Sequence, residues 1–124
     1  MDQTVLVNQA QALTRRLDAT KARPRAVMWV HQPDTDTWRL WIVPDKAISD
    51  KREFYRIVAE TITKNYPEMH GLDVGATEFI KADHPAIKGM GRALKMPGIG
   101  VAQFSGNRFN GYYLPDGIVI RMDL

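Results

Sequence analysis

The sequence predicts an α+β fold: a single domain built on a mostly antiparallel sheet of about five or six strands. The chain has 124 residues, of which 44% are hydrophobic, and this length and composition are typical of one globular domain. Strand-like segments cluster in an opening hairpin and a closing meander, without the regular βαβ alternation of a parallel sheet. We therefore expect one domain over residues 1–124, with the element order α-β-β-α-β-α-β-β-β.

The first element is predicted to be a helix over residues 4–21. Its apolar residues recur at spacings that place them on one helical face, namely Leu6, Ala10, Leu13 and Leu17. Pro24 cannot continue a helix. Two strands, residues 26–32 and 38–43, then form a hairpin around the polar residues 33–37.

The second half of the chain begins with a helix that Asp50 can cap, and Glu53 has the spacing to close a capping box. A strand at residues 76–81 follows. A short helix comes next, capped by Asp83 and opened by Pro85. The chain ends in a meander of three strands, at residues 101–104, 108–114 and 118–122.

The sequence does not decide how the helices pack on the sheet, but it does indicate where turns form. The helices can pack on one face of the sheet, or on both faces if the first and second helices take opposite sides. Within the meander, Asn110-Gly111 and Asp116-Gly117 favour turns that require positive φ.

The hairpin carries the residues of our first functional hypothesis. We expect Gln32 to pair with Trp38, and because side chains alternate along strands, this register places four residues on one face: Trp29, His31, Arg39 and Trp41. Tryptophan and arginine are enriched at the centres of protein interfaces. If this face is exposed, it predicts a protein interface. The alternative is that the first helix covers it and that the indoles belong to the core.

Positive charge suggests a second surface. The net charge is +3, and the cations concentrate in residues 15–25 and 88–108. Cations on one face can hold a phosphate backbone, and exposed aromatic rings can stack on bases. Six residues therefore predict a nucleic-acid-binding module: Lys88, Arg92, Lys95, Arg108, Tyr112 and Tyr113. The alternative is a solvated amphipathic helix.

Catalytic motifs are weak or absent in the sequence. The chain has no cysteine, which excludes thiol catalysis, disulfides and cysteine zinc clusters. Neither serine lies in a Gly-x-Ser-x-Gly motif, and Gly89-Met90-Gly91 lacks the third glycine of a dinucleotide fingerprint. Two loops combine imidazole and carboxylate groups without a recognised metal-site spacing: Glu68, His70 and Asp73, and His31, Asp34 and Asp36.

These observations favour a small non-catalytic binding or accessory protein that acts through the hairpin face or a strand edge. Its partner would be another protein or a second copy of the chain. Nucleic-acid binding is the alternative, and a metal-dependent hydrolase using the Glu68 loop is the weakest hypothesis. No cofactor is expected. No apolar run approaches the ~18–20 residues that span a bilayer, and the lack of cysteine and of a secretory pattern favours the cytoplasm.

Overall fold

The structure is a computed structural model that describes residues 3–124, so that Met1 and Asp2 of the predicted domain lie outside the described residues. Over this range the α+β fold class is confirmed, and no helix is long and apolar enough to cross a membrane. Three helices and seven strands are present: α1 (Gln3–Leu17), β1 (Ala26–Gln32), β2 (Thr37–Val43), α2 (Lys51–Lys64), β3 (Thr77–Phe79), α3 (Pro85–Ala93), β4 (Ala102–Phe104), β5 (Asn107–Phe109), β6 (Tyr112–Leu114) and β7 (Gly117–Met122).

Five of the strands form one mixed sheet in the order β3-β2-β1-β7-β4. The pairs β1–β2, β1–β7 and β4–β7 are antiparallel, whereas β3 runs parallel to β2. The remaining strands, β5 and β6, form a separate antiparallel ribbon. The sheet is therefore mostly antiparallel, as predicted.

The sheet is covered on both faces. α1 and α2 pack on the same face, where Leu13 and Phe54 join Trp29 and Ile42 in one buried cluster. α3 and the β5–β6 ribbon cover the opposite face, where a second cluster gathers Met28, Val119, Ile87, Met90 and Leu114. Coverage of both faces thus comes from α3 and the ribbon, and not from α1 and α2 taking opposite sides.

The predicted strand at residues 108–114 is wrong, because the segment turns back on itself. Asn110 and Gly111 adopt φ values of 54° and 81° and connect β5 to β6 as the two central residues of a tight hairpin. Gly117 was expected at a turn with positive φ, but it lies within β7. A side chain at Gly117 would meet Phe104 Cζ at 2.2 Å, so glycine is required there for close packing.

The cap of α2 by Asp50 is confirmed, whereas the capping box with Glu53 and the predicted cap of α3 are not observed. Asp50 caps α2 and accepts a hydrogen bond from Arg52 N at 3.1 Å, but the Glu53 carboxylate accepts from Lys21 Nζ at 3.0 Å. α3 is capped by His84 and not by Asp83. The His84 Nδ1 accepts from Ala86 N at 3.1 Å, which satisfies one of the free amide groups of the first helical turn.

Candidate functional site

The predicted hairpin face does not exist, because the strands pair in a different register. Gln32 pairs with Thr37, and the loop between the strands has one residue fewer than expected. A slip of one residue turns every side chain of a strand to the other face of the sheet. Trp29 and His31 therefore point to the α1/α2 side, whereas Arg39 and Trp41 point to the opposite side.

These four residues are engaged within the chain. Trp29 is 2% exposed and donates from Nε1 to Leu6 O at 2.7 Å, which confirms the alternative that α1 covers its indole. Trp41 is 6% exposed and belongs to the second cluster.

The two polar members of the predicted face also have intramolecular partners. His31 Nε2 lies 2.9 Å from Asp36 Oδ1, and its ring packs against Trp38. Arg39 donates to Gly75 O at 2.6 Å and to Glu78 Oε1 at 3.3 Å. The hairpin therefore offers no exposed tryptophan–arginine patch.

A different surface collects unpaired positive charge. One groove of about 290 Å³ lies at the ends of β2 and β3, and a second of about 330 Å³ lies beside α3. The two grooves share Arg25 and Ala82 in their linings. We call this joined surface the basic groove, and five cations line it: Arg25, Lys46, Lys81, Lys88 and Arg92.

The sheet positions the basic groove at one of its ends. Arg25 extends β1, because its N donates to Val43 O at 2.7 Å and its O accepts from Asp123 N at 2.8 Å. β3 ends beside β2, where Ile80 N donates to Ile42 O. The following turn leads directly into α3, on which Lys88 and Arg92 are separated by one helical turn.

The cations of the basic groove are not neutralised by the protein. Over residues 3–124, none of the five side chains forms an ion pair or a hydrogen bond. Asp45 is the one acidic side chain among the lining residues, and it accepts from Ala47 N at 2.9 Å. The four glutamates that form ion pairs do so with cations elsewhere: Glu53, Glu60, Glu68 and Glu78. Five cationic side chains against one acidic side chain leave an excess of positive charge that attracts anions.

The basic groove contains only part of the surface predicted for nucleic acid. Lys88 and Arg92 belong to it, but Lys95 donates to Leu124 O at 2.7 Å and lies 3.4 Å from Asp123 Oδ1. Arg108 lies on β5 and donates to Gly111 O at 3.4 Å, within the ribbon.

Three of the five cations were not among the predicted nucleic-acid-binding residues, although one of them, Arg25, lies in the first basic segment. Lys46 and Lys81 stand outside both basic segments. They meet because β2 and β3 are parallel neighbours that end together. The available signal was their position just after two strands, but it becomes informative only once the pairing of those strands is known.

His84 lies one helical turn before Lys88, whose N donates to His84 O at 3.0 Å. Burial lowers the pKa of His84 below its ordinary value of 6.5, while the charges of Asp83 and Glu78 oppose this shift. Its ring centroid lies 5.1 Å from that of Trp41 and 4.8 Å from that of Tyr112. Both ring contacts are edge-to-face, and we call Trp41, His84 and Tyr112 the aromatic cluster.

The two loops considered for metal binding do not assemble a ligand set. Glu68 is hydrogen-bonded to Arg16, an interaction that lowers the pKa of its carboxyl group. Asp73 accepts from Gly75 N at 3.0 Å. Across residues 3–124, no group of three or more His, Cys, Asp or Glu side chains is placed to hold a metal ion.

Comparison with known proteins adds no functional assignment. No family model matches the sequence, and no curated protein or solved structure shows significant similarity to the chain.

Proposed function

We propose that the protein binds nucleic acid through the basic groove. The observation that supports this function is the set of five cations without an ion-pair partner around two adjoining grooves. Phosphates that contact such cations release condensed counterions, and this release drives binding. The same field is repulsive to a cationic partner.

The distribution of the cations favours a chain of phosphates over a single small anion. Arg25 precedes β1, Lys46 and Lys81 follow β2 and β3, and Lys88 and Arg92 lie on α3. Lys88 and Arg92 alone are separated by about 6 Å along the helix axis. A small anion can neutralise only a subset of these groups, whereas a phosphate backbone can pass along both grooves.

Replacing both α3 cations tests the proposal. We expect Lys88→Ala combined with Arg92→Ala to weaken oligonucleotide binding without unfolding the protein, because both side chains are exposed and unpaired. If both contact phosphates of a single strand, the slope of log K against log salt falls by about 1.4 in magnitude. Fluorescence anisotropy with a labelled oligonucleotide at several salt concentrations measures both effects.

The chain offers a charge-matched control in Arg15→Ala combined with Lys64→Ala. Arg15 lies on α1 and Lys64 lies on α2, and both side chains are exposed. These two helices cover the face of the sheet opposite to α3. We expect this variant to bind as the unchanged protein does. Equal weakening by both pairs would contradict a localised site, and absence of binding at low salt would reject the proposal.

A free strand edge supports a second candidate, an interface formed by strand addition. The two outer strands of the sheet, β3 and β4, differ in how their edges are satisfied. On β3, Phe79 N donates to the Tyr55 hydroxyl at 3.0 Å. No side chain of residues 3–124 bonds to the backbone of β4. Because Gly100 N donates to Ile120 O, alternation directs the amide groups of Val101 and Gln103 away from β7. A second copy of the chain could pair there.

Proline at Gln103 tests this edge. Gln103→Pro removes an outward amide donor while leaving the β4–β7 hydrogen bonds in place, and Gln103→Ala keeps that donor. Sedimentation velocity over a range of concentrations should show self-association of the Ala variant and not of the Pro variant. A monomeric unchanged protein at every concentration, or equal association of both variants, would exclude an interface between copies at this edge.

A further inference from the structure

Tyr112 lies at one end of the stripe of cations on α3. His84, Lys88 and Arg92 follow one another at intervals of four residues, and Lys88 N donates to His84 O at 3.0 Å, which extends the helical pattern to His84. Residues at this interval lie along one face of a helix. Because the Tyr112 ring packs against the His84 ring, it adjoins the face that carries Lys88 and Arg92.

Close packing fixes the position of Tyr112. The turn of the β5–β6 ribbon abuts α3 so closely that a Cβ on Gly89 would meet Asn110 N at 2.7 Å. Beneath the ribbon, the buried Trp41 ring supports His84 from the sheet. The Tyr112 ring thus rests on a packed base, yet the residue remains 41% exposed.

Resting on the nucleic-acid function proposed above, we infer that the ligand is a single strand, with one base stacked on Tyr112 and its phosphates following Lys88 and Arg92. In a duplex the bases are paired and stacked on one another, so they cannot offer a free face to this ring. Unpaired bases stack on exposed aromatic side chains and do so with little sequence preference.

Tyr113 provides an internal control for this assignment. It is more exposed than Tyr112, at 54%, but adjacent residues of a strand point to opposite sides. Its cross-strand partner is Arg108, and its hydroxyl lies beside Gly106. A general effect of exposed tyrosines would involve both residues, whereas stacking beside α3 involves Tyr112.

The test compares a labelled oligonucleotide of mixed sequence, as a single strand and as a duplex of equal length, by fluorescence anisotropy. We expect tighter binding of the single strand. Tyr112→Ala should weaken it about fivefold to a hundredfold, the usual range for loss of one stacked base. Tyr112→Phe, which keeps the ring, and Tyr113→Ala should each stay close to the unchanged protein.

Tyr112→Leu is a control for the loss of packing in the Ala variant, because leucine keeps an apolar contact with His84 but offers no aromatic face. If Tyr112→Ala unfolds, as judged by circular dichroism, the Leu variant decides the result. Equal affinity for single strand and duplex, or a Leu variant that binds normally, would overturn the inference and leave the proposed function intact. Failure of both oligonucleotides to bind would overturn both.

Discussion

At the scale of single residues, His84 combines two roles that depend on its neutral form. Its Nδ1 accepts a hydrogen bond from Ala86 N at the start of α3, so this nitrogen must carry a lone pair. Its ring packs between Trp41 and Tyr112, where burial disfavours the charged imidazolium. A protonated His84 would lose the cap and place a charge within the aromatic cluster.

The lowered pKa of His84 predicts a loss of stability in mild acid. Above the ordinary value of 6.5, neither the folded nor the unfolded state binds the proton. Below it, the unfolded state takes up the proton first, so the free energy of unfolding falls until the folded pKa is passed. His84→Asn keeps a capping acceptor and does not titrate. On acidification, the free energy of unfolding of this variant should therefore fall less than that of the unchanged protein.

Urea unfolding at about pH 7.5 and at about pH 5.5, on either side of the unperturbed imidazole pKa, measures this difference. His31 and His70 are unchanged in the variant, so any contribution that they make is common to both proteins. An equal loss of stability in both proteins would show that His84 does not contribute.

At the scale of elements, two glycines of α3 have opposite surroundings. A Cβ on Gly89 would meet backbone atoms of Asn110 and Phe109 at 2.7 Å, and backbone cannot move aside cheaply. A Cβ on Gly91 would meet only the flexible side chain of Leu124, at 3.3 Å. Glycine is thus required for packing at the first position, whereas at the second it mainly lowers helix propensity.

Alanine at each glycine should therefore change stability in opposite directions. Gly91→Ala should raise the free energy of unfolding by up to about 1 kcal/mol through helix propensity. Gly89→Ala gains the same propensity but separates α3 from the β5–β6 ribbon, and overpacking of this kind costs about 1–3 kcal/mol. Chemical unfolding of both variants measures the difference. Equal stabilisation would mean that the ribbon moves away from α3 without cost.

The elements themselves were largely predictable from the sequence, because periodicity and turn residues are local signals. In the hairpin, local signals predict the two strands but not their register. Its two strands were predicted within a residue of their observed ends, but the register depends on how many residues form the loop. Asp36 adopts a φ of 50° and closes a loop one residue shorter than expected. That single residue moved Arg39 and Trp41 to the other face.

At the scale of the whole molecule, the candidate site depends on long-range pairing that periodicity does not encode. The parallel placement of β3 beside β2 brings Lys46 and Lys81 to the same end of the sheet. The placement of α3 beside the start of β1 then adds Lys88 and Arg92 to Arg25. Of these five cations, only Lys88 and Arg92 were among the residues predicted to act together, because only their spacing is local.

A buried ion pair also joins distant parts of the chain. The register of β1 against β7 shifts between Val27 and Met28, which leaves Ile120 as an extra residue. Such a bulge changes the direction of the side chains beyond it, and it turns Arg121 toward the end of α1. There the guanidinium donates to both carboxylate oxygens of Asp18, at 2.6 and 2.9 Å, and to Pro24 O at 3.1 Å.

Removing the two partners of this pair should have unequal costs. The Arg121 side chain is 4% exposed, and its Nε already lacks a hydrogen-bond partner. Asp18→Ala therefore leaves a buried cation without its partner. We expect the free energy of unfolding to fall by about 3 kcal/mol, the lower end of the range for breaking a buried pair. Arg121→Met fills the space with an apolar chain and leaves Asp18 partly exposed beside Arg23, at 3.9 Å, so it should cost less. Urea unfolding of both variants gives the order, and a larger loss for Arg121→Met would show that the guanidinium itself, through Pro24 O, joins β7 to the start of β1.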